Sequence, residues 1–304
     1  MHTHHRTAAT GRRLQLALLA TVAFIAVEIA AGLRADSLAL LSDAGHNFTD
    51  ALSLLLAWFA FHVEAKPPDQ VKTYGYQRAG VLAAFVNALA LVLLAGFIFY
   101  EAYQRLGAPR PVSGLIMMGV AAAGLVVNIG IMLALRSASR QDLNIRSAFV
   151  HMLGDAISSV GILIGGLLID WSGRHWIDPA LSILIGLLIL WTARGIIQES
   201  LNILLEGLPR GLRLETVVEA VRQIPGVIDV HDLHIWSLAS HTHALSCHVM
   251  IEDLPPSSSE TILRSVNELL ERRFQITHTT VQFEHALCEI SNGCAHRGAE
   301  RRQA

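Results

Sequence analysis

The residues of this chain most suited to chemistry are two histidine–aspartate pairs in apolar surroundings. His46 and Asp50 stand four residues apart, and His151 and Asp155 repeat the same spacing. On a helix this spacing places each His and its Asp on one face, with Cβ atoms roughly 5–6 Å apart. Two such helices facing each other would offer two imidazole nitrogens and two carboxylate oxygens. Because this donor set suits tetrahedral Zn²⁺, the spacing predicts a four-ligand metal site.

The apolar runs around these pairs have the composition of membrane segments. Of the 304 residues, 52% are hydrophobic and 16% are charged, whereas a soluble domain carries about 25% charged residues. Ionisable side chains inside a bilayer are costly and usually functional. A single His–Asp pair could satisfy itself without a metal, but two pairs with identical spacing favour a shared metal site. The net charge of −2 argues against a nucleic-acid partner.

Six stretches reach the length of about 20 residues that a membrane-spanning helix needs. Polar or helix-breaking residues separate them, for example at 66–69 and 109–111. We therefore expect a six-helix, all-α transmembrane bundle with the lipid bilayer as its surroundings. The predicted spans are 14–33, 38–61, 79–105, 112–135, 146–169 and 177–202.

The loops between the predicted spans differ in charge, which predicts the orientation in the membrane. Positively charged loops stay in the cytoplasm, so the richer side is cytoplasmic and both termini lie there. The cysteines, Cys247, Cys288 and Cys294, form no disulfide framework and suit a reducing compartment. The richer side carries Arg6, Arg12, Arg13, Lys66, Lys72, Arg78, Arg136, Arg140 and Arg146, and the other side carries Arg34, Arg105, Arg110 and Arg174.

After residue 208 the sequence reads as a soluble domain. Apolar spacing predicts helices over 214–224 and 261–274, and strands over 227–238, 244–251 and 276–285. This order predicts a small α+β domain of the ferredoxin-like type, with a mixed or antiparallel sheet. The predicted division of the chain is a His-containing cytosolic tail at 1–13, the transmembrane domain at 14–206, the cytosolic domain at 207–290 and a flexible tail at 291–304.

Longer motifs around these residues resemble those of the cation diffusion facilitators, zinc-transporter subgroup. They are DSLALLSDAGHNFTD at 36–50, YGYQR at 74–78, AFVHMLGDAISS at 148–159 and VHDLHIW at 230–236. The family consists of antiporters that exchange zinc or other divalent metals for protons. The resemblance implies that His46, Asp50, His151 and Asp155 form the transport site. It also implies export of Zn²⁺ from the cytosol by alternating access, with zinc preferred over cadmium and the remaining metal selectivity left open.

The resemblance further implies metal binding in the cytosolic domain. His231, His248, His278 and Glu284 match positions that bind zinc between two cytosolic domains in the family. We therefore expect a homodimer in which Zn²⁺ is a structural or regulatory ion as well as the substrate. The number of ions bound there stays open.

Two further pairs match family features less closely. Cys288 and Cys294 resemble a terminal cysteine pair of some zinc transporters, but their spacing is wider than that of a tight zinc knuckle. Arg78 and Glu206 match charges that interlock at the membrane–cytosol boundary, or they are surface charges that extend into water. The resemblance also implies a bacterial exporter in the inner membrane, because the link at 136–146 is short where many animal members of the family carry a long His-rich loop.

Some polar residues keep two interpretations at this stage. Asp43 either orients a metal ligand or lies at the water boundary. Asn47 and Asn128 fit packing contacts, and His234 and Trp236 fit structural roles. The three histidines in the first five residues either capture metal or belong to a polar tail.

Three other function classes compete with transport by exchange. An intramembrane zinc protease needs an open coordination position and a general base, as in His-Glu-x-x-His, and the sequence has no such motif. We therefore expect no enzyme activity. A passive channel would conduct zinc regardless of a pH gradient, and a metal sensor would act through its tail alone.

Overall fold

The computed structural model describes residues 21–135, 143–239 and 242–285, and the side chains of 143–152 are not among those described. The chain forms two compact units. One comprises the described residues up to Trp58 together with Val86–Ile197. The other comprises Phe59–Phe85 together with the described residues from Gln198 onward.

The first two-thirds of the described chain is helical. The helices are α1 (21–35), α2 (Leu38–Glu64), α3 (Ala79–Gly107), α4 (Gly114–Leu135), α5 (Leu143–Ser172) and α6 (Ile177–Leu204). Among them, the helices long and apolar enough to cross a membrane are α3, the Leu153–Ser172 part of α5, and α6. Helix α2 is 27 residues long, but polar side chains, including Asp43, His46 and Asp50, lower its apolar character.

The unit that comprises the described residues up to Trp58 and Val86–Ile197, called the helical unit below, packs through small residues and presents large apolar ones outward. Ala39 and Ala95 are fully buried, whereas Leu93 and Trp191 are about 70% exposed (69% and 73%). This distribution is the one expected of helices that associate within lipid, because small residues allow close approach and large ones contact acyl chains.

Helices α4 and α5 approach most closely at two glycines. A Cβ atom at Gly114 would strike the backbone oxygen of Gly166, and one at Gly166 would lie 2.8 Å from the oxygen of Gly114. Only glycine fits at these two positions. The contact therefore sets the spacing of α4 against α5, the helix that carries Asp155.

The C-terminal part folds as helix, two strands, helix and strand. Strands β1 (Val227–Ala239) and β2 (Thr242–Ile251) are antiparallel. Strand β3 (Ile276–Glu284) lies parallel to β2 on its other side, which makes the three-stranded sheet mixed. The core contains Val217, Val230, Leu245, Val266 and Ile276, so both helices and all three strands contribute to it. The elements are α7 (Leu214–Arg222), β1 (Val227–Ala239), β2 (Thr242–Ile251), α8 (Pro256–Phe274) and β3 (Ile276–Glu284).

Helix α8 begins five residues earlier than the sequence predicted. Pro256 occupies its first turn, where the missing N–H costs nothing because that group has no partner within the helix. Ser257, Ser258 and Ser259 are therefore helical. Gln275, with φ of 58°, ends the helix in the left-handed conformation and leads directly into β3.

Candidate metal sites

The helical unit brings three predicted ligands together. His46 Nε2 lies 3.6 Å from Asp50 Oδ2 and 3.7 Å from Asp155 Oδ1. One donor atom from each of the three residues lies within 4.8 Å of the others. Ligand atoms around a tetrahedral zinc ion stand about 3.3–3.6 Å apart, given bonds of about 2.0–2.2 Å. The spacing therefore suits three donors around one metal ion.

The fourth predicted ligand, His151, lies on α5, but its side chain is outside the described residues. The helix is continuous from Leu143 to Ser172. His151 therefore stands one turn before Asp155, on the same broad face. The backbone is compatible with a fourth ligand from this residue.

Two polar contacts hold α2 to its neighbours beside this cluster. Asp43 is 5% exposed and accepts a 2.7 Å hydrogen bond from Ser158 Oγ on α5. Glu28 on α1 is 1% exposed and accepts a 3.0 Å bond from Asn47 Nδ2. Asp43 is thus buried rather than placed at a water boundary, and Asn47 is more than a packing residue.

Sequence reasoning missed Glu28 and Ser158. The available signal for Glu28 was that it is the one acidic residue in the predicted span 14–33. An ionisable group at that depth invites a functional explanation. Ser158 gave no such signal, because serine is common in membrane helices and needs no distant partner.

A second cluster of donors lies on the sheet of the C-terminal domain. Glu284 Oε2 is 3.1 Å from His231 Nε2, and Glu284 Oε1 is 2.9 Å from His248 Nδ1. The two imidazole rings are edge-to-face with centroids 5.4 Å apart. Gln282 donates a further 3.0 Å hydrogen bond to Glu284 Oε1. The carboxylate therefore joins both histidines, and the three donors fit one metal ion.

Strand register explains why these residues meet. His231 on β1 stands opposite His248 on β2, and His248 stands beside Gln282 on β3. Glu284 follows two residues later, on the same face. Cys247 points to the other face, where it is 2% exposed, and burial raises its pKa to about 12. Its thiol therefore stays protonated in the core.

A β-bulge adds a carboxylate that the sequence did not reveal. Between the pairs His231–His248 and His234–Ser246, strand β1 has one residue more than β2. Asp232 lies in this bulge with φ of 49°. Its Oδ2 comes within 3.8 Å of His248 Nε2, and its Oδ1 within 3.2 Å of His234 Nε2. Regular alternation would have turned Asp232 away from His248.

Of the remaining candidates in this domain, His278 does not join the cluster within the described residues. His278 is exposed, stands beside Ala244 in the sheet, and meets Tyr74 edge-on at 5.1 Å. It is six residues from Glu284, which is about 20 Å along a strand. Cys288 and Cys294 lie outside the described residues.

The predicted charge pair makes contact. Arg78 Nη2 lies 3.3 Å from Glu206 Oε1 and 3.5 Å from the backbone oxygen of Ser237. The side chains are 34% and 65% exposed. An ion pair this exposed is screened by water and contributes little free energy.

Two domains of a known protein family match this chain. Residues 14–205 match the cation efflux transmembrane domain. The chain belongs to the cation efflux family. Residues 209–286 match the cytoplasmic domain of cation efflux proteins. These matches confirm the resemblance drawn from the motifs and make the chain a multi-pass membrane protein.

Its relatives in the cation efflux family are bacterial transporters, not enzymes. The metal cation efflux system protein CzcD of Cupriavidus metallidurans is 38% identical over 98% of this chain and 94% of the relative. The zinc transporter ZitB of Escherichia coli is 39% identical over 94% and 93%. The cadmium, cobalt and zinc/H⁺–K⁺ antiporter of Bacillus subtilis is 37% identical over 93% and 92%. A solved metal-bound C-terminal domain of CzcD is 37% identical, covers 24% of this chain and 99% of its own, and has a TM-score of 0.22.

Proposed function

We propose that this cation efflux protein exports Zn²⁺ from the cytosol in exchange for protons. The observation that carries the proposal is the cluster of His46, Asp50 and Asp155, whose donor atoms have the spacing of a zinc site in the helical unit. The names of the Escherichia coli and Bacillus subtilis relatives support zinc as substrate, and the latter supports protons as the exchanged ion.

The chemistry of the ligands couples the movement of zinc to that of protons. Imidazole binds a metal only when it is neutral, and histidine titrates near pH 6.5 in water. Zn²⁺ arriving from the cytosol displaces protons from His46 and His151. When the site faces the other side, protons return to these residues and Asp50 and Asp155 lose the ion they share. The cycle is alternating access with the same residues serving both substrates.

The topology we propose has six spans with both termini in the cytoplasm, in the bacterial inner membrane. Each of α1–α6 corresponds to one predicted span, and the basic residues favour this orientation. Domain limits at 14–206 and 207–290, with tails at 1–13 and 291–304, are compatible with the residues matched by the two family domains.

We infer a ferredoxin-like ancestry for the cytosolic domain from its strand pairing. The ferredoxin-like fold has the order β-α-β-β-α-β. Removing its first strand leaves α-β-β-α-β, with the last two strands as neighbours, and these run parallel. The described domain has this order and this parallel pair.

We propose that the cytosolic cluster senses zinc in a homodimer. His231, His248 and Glu284 would hold the regulatory ion. The exposed position of His278 suits a contribution across the interface between two cytosolic domains, as the family resemblance implies. Zinc is then the substrate in the membrane and a ligand of the tail.

Zinc uptake into proteoliposomes with an imposed pH gradient tests the function. We expect uptake to follow the gradient and to be lost in His151→Ala and Asp155→Asn. Asp170→Asn is the matched control, because Asp170 lies on the same helix but is exposed near its end. Wild-type flux in both ligand variants would overturn the site. Flux that ignores the gradient would favour a channel, and absence of flux with intact zinc binding would favour a sensor.

A further inference from the structure

Helix α2, which carries His46 and Asp50, begins at an unusual cap. The first amides of a helix have no partner within it and are usually satisfied by a neighbouring side chain. Ser37 provides one such local cap, since its Oγ accepts a 3.2 Å bond from the Leu40 amide. The amides of Leu38 and Ala39 are bound instead by a residue about 140 positions away.

That residue is Asp178, in the first turn of α6. Its Oδ2 accepts a 2.7 Å bond from the Leu38 amide, and its Oδ1 accepts bonds from the Ala39 amide (3.2 Å) and Ser37 Oγ (2.6 Å). Asp178 and Ser37 are both 0% exposed. All three contacts come from donors, so the carboxylate acts here as an acceptor only, as an ionised group does.

Burial of the Asp178 carboxylate costs free energy unless hydrogen bonds compensate for it. A buried carboxylate requires several hydrogen bonds to replace its water. Asp178 lies in the first turn of α6, where a negative charge is already favourable. Its oxygens nevertheless accept hydrogen bonds from the first amides of α2, the helix that holds the metal ligands, where a negative charge is favourable for the same reason.

The adjoining turn is fixed from a third helix. Arg105 on α3 is 6% exposed and donates a 2.6 Å bond from Nη1 to the backbone oxygen of Asp36. Its Nη2 lies 3.1 Å from Asp36 Oδ1. Asp36, with φ of 50°, forms the break between α1 and α2. The start of α2 is therefore fixed to both α3 and α6.

We infer that Asp178 is a positioning residue for the metal site. His46 is eight residues from Leu38, about 12 Å along a continuous helix. A rotation or shift of the start of α2 is thus transmitted to His46 and Asp50, whereas Asp155 is carried by a different helix, α5. Functional sites need their groups held within about 0.5 Å. This inference rests on the zinc site proposed above.

The test measures zinc and cadmium affinity of the purified full chain by chelator competition, in a His248→Ala background that weakens the cytosolic cluster. Asp178→Asn keeps the shape of the side chain but replaces one acceptor oxygen by an N–H donor. We expect the Kd for zinc to rise about tenfold, as for other residues that orient metal ligands. The ratio of cadmium to zinc Kd should fall, because a displaced α2 loosens the site.

Ser182→Ala is the matched control. Ser182 lies one turn further along α6, is also 0% exposed, and bonds the backbone oxygen of Asp178 within its own helix. We expect both Kd values to stay within about twofold of the parent, since no contact with α2 is changed.

The outcomes separate this inference from the proposed function. If the Asp178→Asn protein folds and its ratio of cadmium Kd to zinc Kd equals that of the parent, the inference is overturned, even if the thermal stability of the variant falls. If that variant does not fold, Ser37→Gly removes the hydroxyl that Asp178 holds while keeping a tolerated cap residue; an unchanged ratio there would equally overturn it. If zinc binding in the parent is insensitive to His46→Ala, the proposed transport site fails instead.

Discussion

The two donor clusters of this protein both combine imidazole and carboxylate groups but hold them differently. In the helical unit the distances from His46 to the two aspartates are 3.6 and 3.7 Å. On the sheet, Glu284 lies 3.1 and 2.9 Å from its two histidines. The donors of the first cluster are thus spaced like the ligands of a metal ion, whereas those of the second cluster lie closer together.

This difference suits the two roles proposed. A transported ion must bind and leave in every cycle, so donors already set at metal-ligand spacing shorten the rearrangement. A regulatory ion should bind only when its concentration rises, and close contacts between the donors that compete with the metal raise that threshold. The same residue types can therefore serve as carrier or sensor, depending on what they contact without metal.

The largest effect is expected when each cluster is removed in turn. His46→Ala should abolish zinc uptake into proteoliposomes at all zinc concentrations, because a transport ligand is lost. His248→Ala should leave uptake measurable and change only its dependence on zinc concentration. Equal loss of uptake in the two variants would end the distinction between carrier and sensor.

The next effect concerns pH at the cytosolic cluster. Protons compete with metal for His231 and His248, so zinc affinity should fall as the pH falls. At a pH low enough to protonate both metal-free imidazoles, the Kd should rise about a hundredfold per pH unit, since each displaced proton contributes about tenfold. Zinc titration of the full chain in a His46→Ala background measures this, and a tenfold slope would leave only one histidine as ligand.

A smaller effect is expected at the β-bulge. Asp232→Asn removes the charge beside His248 Nε2 and should weaken zinc binding at the cytosolic cluster about tenfold. Asp229→Asn is the control, because Asp229 lies on the same strand but pairs with Arg222 at the surface. Chelator competition in the His46→Ala background distinguishes the two. Identical affinities would remove Asp232 from the site.

The smallest effect is expected for a contact outside both clusters. The exposed Arg78–Glu206 pair should show a coupling free energy of about 0.2–1 kcal/mol. A double-mutant cycle with Arg78→Ala and Glu206→Ala, read by thermal unfolding, measures it. A coupling well above this range would mean that the pair matters for more than surface charge.

Local periodicity explains what the sequence could predict. The i, i+4 spacing put His46 and Asp50 on one helix face, and this needs no knowledge of the tertiary structure. Strand alternation placed Glu284 and His278 on one face, but six residues of strand separate them by about 20 Å, and His278 therefore stands far from the cluster within one chain. The mixed sheet agrees with the predicted element order.

Contacts between distant parts of the chain escaped prediction. Asp232 reaches His248 through a bulge that depends on how β1 pairs with β2. Asp178 meets the start of α2 across about 140 residues, and Ser158 meets Asp43 across 115. No single-sequence pattern records such pairs, because each residue is ordinary in its own segment.

The contact of Gly114 with Gly166 has a consequence for the tolerance of this protein to mutation. Neither position accepts a methyl group without separating two backbones. Even a change of glycine to alanine, which adds one methyl group, would push α4 and α5 apart at this contact. Variation among related sequences should therefore be as restricted at these two positions as at the ligands themselves.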